Sequence, residues 1–340
     1  MAVTQTAGAG AHPESTVEWV GPLFIVGMPR SGTKLLRGLL HQHPRVRIPT
    51  IETDFFPHLV RWVRERGQPE GDTAFEALFA SLRNTPYFIY RPGDAAPFSW
   101  AEWREHCRGR HDAAGLFEGF VRYETGAGHG THCIWGDKSP GYMRHLSALL
   151  AHFPQARVIH IVRDVRDYCL SIRKTWNKDL RRAAYCWGRD VAEVHRTCQA
   201  HADRCIEVKY EDLVRAPEAQ MRRLSAFLQI EFRAAMTRLQ RPVEARGDAA
   251  GREEVVGANA QKFAAHLRKR QIRAIEGLAW SAMQEYGYQP LYAHRQKQLG
   301  PLTLRALRAK DGLWLIVRAA RHTGLAGALR FHWNHARVAN

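Results

Sequence analysis

Short apolar runs alternate along the chain with segments of helical spacing. The apolar runs are predicted to be strands: Leu23–Gly27, Val46–Pro49, His132–Trp135, Arg157–Arg163 and Cys205–Tyr210. The segments that follow them are predicted to be helices: Thr33–His43, Asp54–Arg66, Gly141–His152, Val165–Thr175 and Ala216–Leu228. Strands that alternate with helices indicate a parallel sheet covered on both faces. The pattern therefore predicts an α/β fold, a three-layer sandwich around a central parallel sheet.

One long stretch interrupts this alternation. Residues 67–131 carry no clear strand and are rich in aromatic side chains, so they are predicted to form a mostly helical insertion, a lid over the site. The chain is thus divided into a flexible tail at 1–18, one domain at 19–292 and a C-terminal extension at 293–340. Within the domain, Arg157–Arg163 is nearly continuous in apolar residues and is predicted to be a central strand.

The C-terminal extension is basic and amphipathic. From residue 296 to 340 it holds eight Lys or Arg residues and one acidic residue, Asp311. Around residues 313–321 apolar and basic positions recur at helical spacing. Two interpretations are open. The pattern slightly favours a helix packed on the domain with its basic side in solvent over a helix that docks on a membrane surface or a polyanion.

The first predicted strand runs into a loop bounded by glycines, Gly27–Gly32, and then into a helix. Such a loop turns backbone N–H groups toward the positive end of the helix dipole, which makes an anion site suited to phosphate. A nucleotide triphosphate P-loop ends in Gly-Lys-Ser/Thr. Here Thr33 and then Lys34 follow the second glycine, and Arg30 lies inside the loop. The site is therefore P-loop-like but lacks that triplet.

A second candidate phosphate site follows the fourth predicted strand. Arg163 stands at the carboxyl end of this strand, where ligands of open α/β sheets bind, and Ser171 in the next helix adds a hydroxyl donor. Arg166, Arg173 and Lys174 are expected to strengthen the positive field. Alone, this stretch is explained equally well as an Arg–Asp network around a helix start, with Asp164 and Asp167 favouring the helix dipole. The glycine-bounded loop earlier in the chain favours two phosphate sites.

Composition and charge narrow the class of protein. With 45% hydrophobic and 24% charged residues the chain is globular in composition, and no apolar run approaches the ~20 residues that span a bilayer. The net charge of +17 suits an anionic ligand, a polyanion or an anionic membrane and does not choose among them. Residues 1–16 lack the pattern of a secretory signal, so a cytoplasmic location is predicted. Peripheral attachment to the cytoplasmic side of a membrane is the alternative location.

Six cysteines occur without the paired spacing of a zinc finger, and reduced thiols are expected. Cys198, His201 and Cys205 would share one face of a helix, with His195 close by, so a metal site is conceivable. Structural zinc normally takes ligands from two separated elements, and no second pair of ligands is evident in the sequence. A half-buried helix face is therefore the favoured interpretation.

The chain resembles the superfamily of sulfotransferases that use 3′-phosphoadenosine 5′-phosphosulfate (PAPS). Gly27–Lys34 is similar to the family loop for the 5′-phosphosulfate, and Arg163–Ser171 is similar to the motif for the 3′-phosphate, in the same order. Pro49–Glu52, Trp135–Pro140 and Lys209–Leu213 are similar to stretches of the tyrosylprotein sulfotransferases and of many bacterial enzymes. The resemblance implies a P-loop-like nucleotide site.

The resemblance, which extends over about residues 20–290, also implies roles for individual residues. Glu52 is the implied base for the acceptor hydroxyl, with His160 as the alternative, while Arg30 and Lys138 stabilise the transferring group. The implied cofactor contacts are Arg30, Ser31, Gly32, Thr33, Lys34, Arg163, Ser171, Tyr210 and Lys262. Lys34 replaces a family threonine and would supply a charge in place of a hydroxyl.

Three of these residues can also be explained by a purely structural role. Glu52 is also explained as a solvent-exposed carboxylate at a helix start, although the family pattern favours the base. Lys138 precedes a strand-to-helix turn with Ser139 as N-cap and Pro140 at the first helical position, which would aim the lysine at the crevice. Tyr210 is equally well explained as a packed residue at a strand end.

The predicted activity is transfer of a sulfuryl group from PAPS to a hydroxyl of a carbohydrate, lipid-linked or phenolic acceptor. No metal is expected, because a sulfuryl group carries less negative charge than a phosphoryl group and fixed cations suffice. Tyrosylprotein enzymes have an arginine after their glutamate where this chain has Asp54 and Phe55, which weakens a protein-tyrosine acceptor. The alternatives are a P-loop kinase or NTPase and a non-enzymatic polyanion- or membrane-binding protein. No specific nucleic acid is predicted as a partner, and the oligomeric state is left open.

Overall fold

Five parallel strands form one sheet in the order β2-β3-β1-β4-β5. The strands are β1 Leu23–Val26, β2 Val46–Arg47, β3 Ile134–Lys138, β4 Arg157–Val162 and β5 Cys205–Lys209. The computed structural model describes residues 19–83, 85–89, 91, 97–129, 132–243, 251, 253, 255, 260–314 and 316–317. The predicted tail at 1–18 and the last part of the extension, 318–340, lie outside these residues.

All five predicted strands are confirmed, and their ends differ by a few residues. The largest difference is in β3, which begins at Ile134 and continues to Lys138. The polar end of this strand is paired with β1, with Lys138 opposite Ile25, and every residue of β3 is buried. Backbone pairing thus extends the strand over Asp137 and Lys138, whose charges hid it from the apolar pattern.

Fourteen α-helices surround the sheet in the described chain before the C-terminal extension. They are α1 Thr33–Leu40, α2 Phe56–Arg66, α3 Gly71–Leu82, α4 Pro86–Ile89, α5 Trp100–His106, α6 Ala113–Thr125, α7 Leu146–His152, α8 Val165–Trp176, α9 Leu180–Ala200, α10 Tyr210–Arg215, α11 Pro217–Leu228, α12 Phe263–His266, α13 Lys269–Leu278 and α14 Trp280–Glu285. Short 3-10 turns span Pro140–His145 and Ala234–Thr237. The predicted helix Gly141–His152 is therefore a 3-10 turn followed by α7.

Alternate residues of the central strand β4 point to two separate cores. Val158 and Val162 pack with the core that contains residues of α8, α9 and α13. Ile159 and Ile161 belong to a second core that contains residues of α1, α10 and α11. Each face of the sheet is thus covered by helices, as an all-parallel sheet requires. This arrangement confirms the predicted three-layer α/β sandwich.

The insertion is helical where it is described, but its aromatic side chains are mostly internal. Phe75, Trp103, Phe117 and Phe120 are completely buried, and Phe55 of the neighbouring loop packs edge-on against the Phe120 ring at 4.7 Å. Aromatic rings packed in this way stabilise a core. The aromatic content of residues 67–131 therefore builds the layer under the site and gives little information about an acceptor.

The C-terminal extension begins its helix at residue 301 and is helical through 314 and at 316–317. Two of its side chains, Leu307 and Asp311, are buried against the domain. The favoured interpretation, a helix packed on the domain, is thus confirmed for this part of the extension. No helix among the described residues has both the length and the apolar character needed to cross a bilayer.

Candidate active site

The loop between β1 and α1 has the backbone that an anion cradle needs. Gly27 has a φ of 155°, and a Cβ there would lie 2.4 Å from the carbonyl oxygen of Ile161 in β4. Gly32 has a φ of 95°, and a Cβ would lie 2.5 Å from the ring of Tyr210. Only glycine combines these conformations with so close an approach. Both glycines thus let the loop close against β4 and β5 while α1 presents its N-terminus.

The residues of this loop differ in backbone conformation and in exposure to solvent. Arg30 adopts a left-handed φ of 72°, which is uncommon for a residue with a side chain and occurs often at functional sites. Ser31 and Thr33 are buried, and the Ser31 hydroxyl has no hydrogen-bond partner among the described residues. Lys34 lies in the first turn of α1 and is partly exposed. The first turn of α1 carries no acidic side chain that would repel an anion.

The two candidate phosphate motifs meet at Arg30. Its Nε donates to the Ser171 hydroxyl at 3.3 Å, and its carbonyl oxygen accepts from the Arg163 guanidinium at 3.1 Å. The same guanidinium lies 4.5 Å from the centre of the Tyr210 ring, and that ring also packs on Gly32. The structure therefore joins these five residues in one positively charged corner at the carboxyl edge of β1, β4 and β5. Tyr210 is both a packed strand-end residue and part of this corner.

One predicted contribution to the positive field is wrong. The Arg166 guanidinium is buried and bonds the Asp164 carboxylate at 2.6 Å and the Glu276 carboxylate at 3.0 Å. The two carboxylates neutralise its charge. Burial lowers the pKa of Arg166, but the two carboxylates outweigh burial and raise that pKa. Arg166 therefore ties the start of α8 to α13. Asp164 also accepts the backbone N–H of Arg166, so the N-terminus of α8 is capped by the chain itself.

Asp167 has a role that the sequence did not show. Its carboxylate accepts the backbone N–H groups of Gln261 at 2.5 Å and Phe263 at 2.8 Å. These two bonds hold the segment that carries Lys262 against α8, the helix that contains both Asp167 and Ser171. Asp167 resembled a residue that favours a helix dipole, and nothing in its local sequence indicates a partner 94 residues away. The resemblance implies that the stretch 257–263, which contains Lys262, covers the cofactor, and residues 257–259 of it lie outside the described residues.

The second half of the site is an ion pair between Glu52 and Lys138. The Lys138 ammonium donates to the Glu52 carboxylate at 2.5 Å. The Lys138 side chain is completely buried at the end of β3, whereas 35% of the Glu52 side chain is exposed. Burial lowers the pKa of Lys138, and the Glu52 carboxylate opposes that effect. The pair therefore consists of a fixed internal cation and a carboxylate that a substrate hydroxyl can reach.

The turn after Lys138 supports the loop that follows Glu52. The Ser139 hydroxyl accepts the backbone N–H of Asp54 at 3.3 Å and does not cap the 3-10 turn as expected. The Tyr142 hydroxyl lies 2.6 Å from the Thr53 hydroxyl and accepts the N–H of Phe56 at 3.1 Å. These bonds hold the Glu52 loop against the end of β3. Both phenol and hydroxyl are buried, so their geometry is rigid.

Arg37 is a further cation beside Glu52 that the sequence analysis missed. It follows Thr33 by about one helical turn, and its guanidinium donates to the carbonyl oxygen of Pro49 at 3.2 Å. Burial lowers its pKa, as does Arg241, and the Glu52 carboxylate raises it. The sequence signal that could have identified Arg37 was its spacing of about one helical turn from Thr33. Glu52 thus lies between two cations supplied by α1 and β3.

Asp54 is a buried carboxyl next to this ion pair. Its pKa is raised to about 7, first by burial and then by the Glu52 and Asp137 carboxylates. Asp137 lies in β3, and burial raises its pKa to about 6. Such shifts arise because a charged carboxylate is poorly solvated in the interior. The carboxyl groups around Lys138 therefore hold protons at a pH where free aspartate is ionised.

This pKa predicts how stability depends on pH. The unfolded chain loses the Asp54 proton near 3.8 and the folded chain near 7, so ionisation of Asp54 destabilises the fold as pH rises through that window. Asp54→Asn should therefore stabilise the protein at about pH 8 relative to about pH 4, by on the order of 2–4 kcal/mol. Urea unfolding at both pH values measures the difference. The exposed control Asp203→Asn should show none, and an equal effect of Asp54→Asn at both pH values contradicts the prediction.

His160, the alternative base, is placed away from this edge in the middle of β4. It is completely buried, and its Nδ1 lies 2.9 Å from a Glu207 oxygen. Burial raises the pKa of Glu207, but hydrogen bonds with His160, Tyr286 and His195 outweigh burial and lower that pKa to about 2. The Glu207 carboxylate is thus satisfied on both oxygens. This hydrogen-bonded network gives His160 a structural role.

The conceivable metal site on one helix is not formed as expected. Helix α9 ends at Ala200, His201 follows it as a cap, and Cys205 is the first residue of β5. Cys198 is buried on α9, as the favoured interpretation predicted. Cys198 and His201 therefore lie at the end of α9 and Cys205 lies on β5, so the three residues do not share a helix face.

Comparison with known proteins agrees with this geometry. The model of the "Sulfotransferase family" matches residues 22–234. Protein-tyrosine sulfotransferase 1 of Danio rerio is 29% identical over 229 residues, which cover 63% of this chain and 54% of that protein. The putative protein-tyrosine sulfotransferase of Caenorhabditis briggsae is 23% identical over 278 residues, covering 76% of this chain and 80% of that protein. The chain spans about half the length of several curated relatives that it matches.

A solved structure supports the same fold. The sulfotransferase domain from the curacin biosynthetic pathway aligns with a TM-score of 0.53 at 16% sequence identity. The alignment covers 81% of this chain and all of that domain. At this identity the likeness concerns the fold alone. Because the family model matches well over half of the sequence, including both anion motifs and Glu52, this chain belongs to the sulfotransferase family.

Proposed function

We propose that the chain is an O-sulfotransferase that takes a sulfuryl group from PAPS and transfers it to a hydroxyl acceptor. The observation that carries the proposal is the meeting of the two anion motifs. Arg30 and Ser171 are 141 residues apart in sequence and are joined by a hydrogen bond, with Arg163 bonded to the Arg30 backbone. One corner that offers donors to two phosphate groups suits a nucleotide with separate 3′- and 5′-phosphates.

The residues present fit such a nucleotide. The buried Ser31 hydroxyl has no partner among the described residues, and α1 directs its N-terminus into the same corner. Arg163 and Ser171 would hold the 3′-phosphate, while Arg30, Ser31, Thr33 and Lys34 surround the 5′-phosphosulfate. Gly32 brings the backbone close, Tyr210 closes the side of the corner, and Lys262 lies on the segment held by Asp167. When bound, PAPS supplies the sulfuryl group.

The ion pair beside this corner supplies the acid–base chemistry. Glu52 would take the proton of the acceptor hydroxyl while that oxygen bonds to sulfur and the bond from sulfur to the 5′-phosphate oxygen breaks, with adenosine 3′,5′-bisphosphate as the leaving group. Its carboxylate suits this role because it is partly exposed and lies at the carboxyl edge of the sheet. Lys138 and Arg30 place positive charge where negative charge develops on the peripheral and bridging oxygens. Lys138 is fixed before the reaction by burial and by its bond to Glu52, so little reorganisation is needed.

The acceptor remains a class rather than a molecule. We propose a hydroxyl of a carbohydrate, lipid-linked or phenolic compound, and the relatives' names add protein tyrosine to the phenolic candidates. Asp54 and Phe55 stand where the tyrosylprotein enzymes carry an arginine, so this position provides no cation for an acidic peptide. A cytoplasmic location stays part of the proposal.

Ligand-induced thermal stabilisation tests the nucleotide. Adenosine 3′,5′-bisphosphate at about 100 times its Kd should stabilise the fold by ~2.7 kcal/mol, which raises the Tm by several degrees. Adenosine 5′-monophosphate, which lacks the 3′-phosphate, is the matched control and should give much less. Because the proposed chemistry uses side-chain cations, turnover of PAPS should persist in EDTA. Equal stabilisation by both nucleotides, or turnover abolished by EDTA and restored by magnesium, would overturn the proposal.

A further inference from the structure

The C-terminal helix 301–314 is fastened to the domain by its inner face. Leu307 is buried, and the Asp311 carboxylate accepts hydrogen bonds from the Asp179 backbone and from the Arg182 guanidinium, each at 2.9 Å. The inner face therefore satisfies both its apolar and its acidic side chain. What this helix presents outward is set by the remaining positions.

The outer face carries an exposed apolar stripe. Leu302 is 76% exposed, Leu313 64% and Val317 47%. At about 100° per residue, these three side chains fall within roughly 60° of one another, and the exposed Ala306 and Ala309 fall on or beside the same arc. Three of the five large hydrophobic side chains that are exposed in the described chain thus lie in this stripe. Single exposed apolar residues are ordinary, whereas a stripe marks an interaction surface.

The charge beside the stripe determines what kind of partner it fits. Arg305 and Lys310 border it on opposite sides, Arg308 lies further round, and all three are exposed. The Lys310 ammonium also bonds the Asp179 carboxylate at 3.3 Å, so Arg305 is the border charge on which the test relies. The one acidic residue between 296 and 340 is Asp311, which is turned inward and neutralised. The outer face is therefore apolar in the middle, basic at its borders and without an acidic side chain.

We propose that this outer face docks on an anionic lipid surface, with the helix lying in the plane of the interface. Leu302, Leu313 and Val317 would enter the boundary between headgroups and acyl chains, and the flanking basic side chains would contact lipid phosphates. A helix with a basic border and an apolar stripe has the pattern of an interfacial helix, and charge complementarity selects anionic lipids. This inference does not depend on the proposed enzymatic activity.

Cosedimentation of the full chain with vesicles tests the docking. The protein should pellet with vesicles of equimolar phosphatidylglycerol and phosphatidylcholine and should remain in the supernatant with phosphatidylcholine alone. Leu302→Ser/Leu313→Ser should abolish binding to the anionic vesicles. The matched control is Ile89→Ser, which removes an exposed apolar side chain elsewhere and should leave binding unchanged. Both variants should keep the parent Tm, because the replaced side chains are exposed.

The charge is tested separately. Arg305→Gln/Arg308→Gln should weaken binding to anionic vesicles by about fivefold or more, because Arg305 borders the stripe, whereas Arg308 lies further round and contributes less. Arg64→Gln/Arg196→Gln changes the net charge by the same amount on exposed residues of α2 and α9 and should have a much smaller effect.

Three results would overturn the inference. The first is a parent protein that stays in the supernatant with anionic vesicles. The second is equal binding of Leu302→Ser/Leu313→Ser and Ile89→Ser. The third is self-association without lipid, measured by sedimentation velocity and lost in the double leucine variant, because a second copy of the chain would then cover the stripe.

Discussion

Glu52→Gln is expected to lower kcat by about 10²- to 10⁴-fold and to leave the affinity for adenosine 3′,5′-bisphosphate nearly unchanged. Glutamine keeps the size of the side chain and an oxygen for the 2.5 Å contact with Lys138, but it cannot take a proton. The nucleotide corner is built from other residues, with Arg30 and Arg163 at its centre, so binding is preserved. Steady-state turnover and calorimetric titration measure the two quantities on the same protein.

Two controls separate the base from the counter-ion. Glu65→Gln removes an exposed carboxylate and should retain kcat, because Glu65 lies on α2 away from the sheet edge. Glu52→Gln also leaves the buried Lys138 ammonium without its carboxylate, so its pKa falls further and the Tm decreases. A Glu52→Gln protein with turnover within about tenfold of the parent would refute the assignment of Glu52 as base.

Arg163→Ala is expected to weaken nucleotide binding by at least about 100-fold, or roughly 3 kcal/mol. The guanidinium occupies the centre of the corner, where it bonds the Arg30 carbonyl at 3.1 Å and stacks over Tyr210 at 4.5 Å. Removal of the guanidinium has two effects. It deletes a charge-assisted donor to phosphate, and it loosens the loop between β1 and α1. Calorimetric titration with adenosine 3′,5′-bisphosphate measures the loss.

A second variant protects this test from a folding defect. Arg163→Lys retains the charge without the planar fork, so it should fold, and its affinity should lie between those of the parent and the alanine variant. Arg173→Ala removes an arginine of α8 whose guanidinium makes an exposed hydrogen bond to the His266 carbonyl. This variant should change the nucleotide affinity by less than about fivefold. Equal affinities of the Arg163→Ala and Arg173→Ala proteins would show that Arg163 is not a phosphate ligand.

Local sequence signals were sufficient for the elements that carry the site. All five strands follow from apolar runs, and the loop between β1 and α1 follows from two glycines at positions that need a positive φ. The positions of Arg163 and Glu52 after strands placed them at the carboxyl edge of a parallel sheet. Such predictions succeed because backbone pairing, burial and turn chemistry depend on neighbouring residues.

Partners across long sequence separations were not predictable. Arg166 was expected to add positive charge, but Glu276, 110 residues later, cancels it. Asp167 resembled a helix-dipole residue and in fact holds Gln261 and Phe263. The aromatic insertion was predicted to be a lid, yet its largest rings are internal. In each case the sequence showed the chemical type of the side chain but not the residues that surround it in the fold.

The sequence by itself determined the α/β class, the five strands and the glycine-bounded anion loop, and it placed Arg163 and Glu52 after strands that end at one edge of the sheet. The tertiary structure decided which charges are available. The strand order places β3 next to β2 and β4 next to β1, so Lys138 reaches Glu52 and Arg163 reaches Arg30. The physical reason is that pairing and burial set the free energy of a charge. Both depend on contacts made only when distant segments pack together.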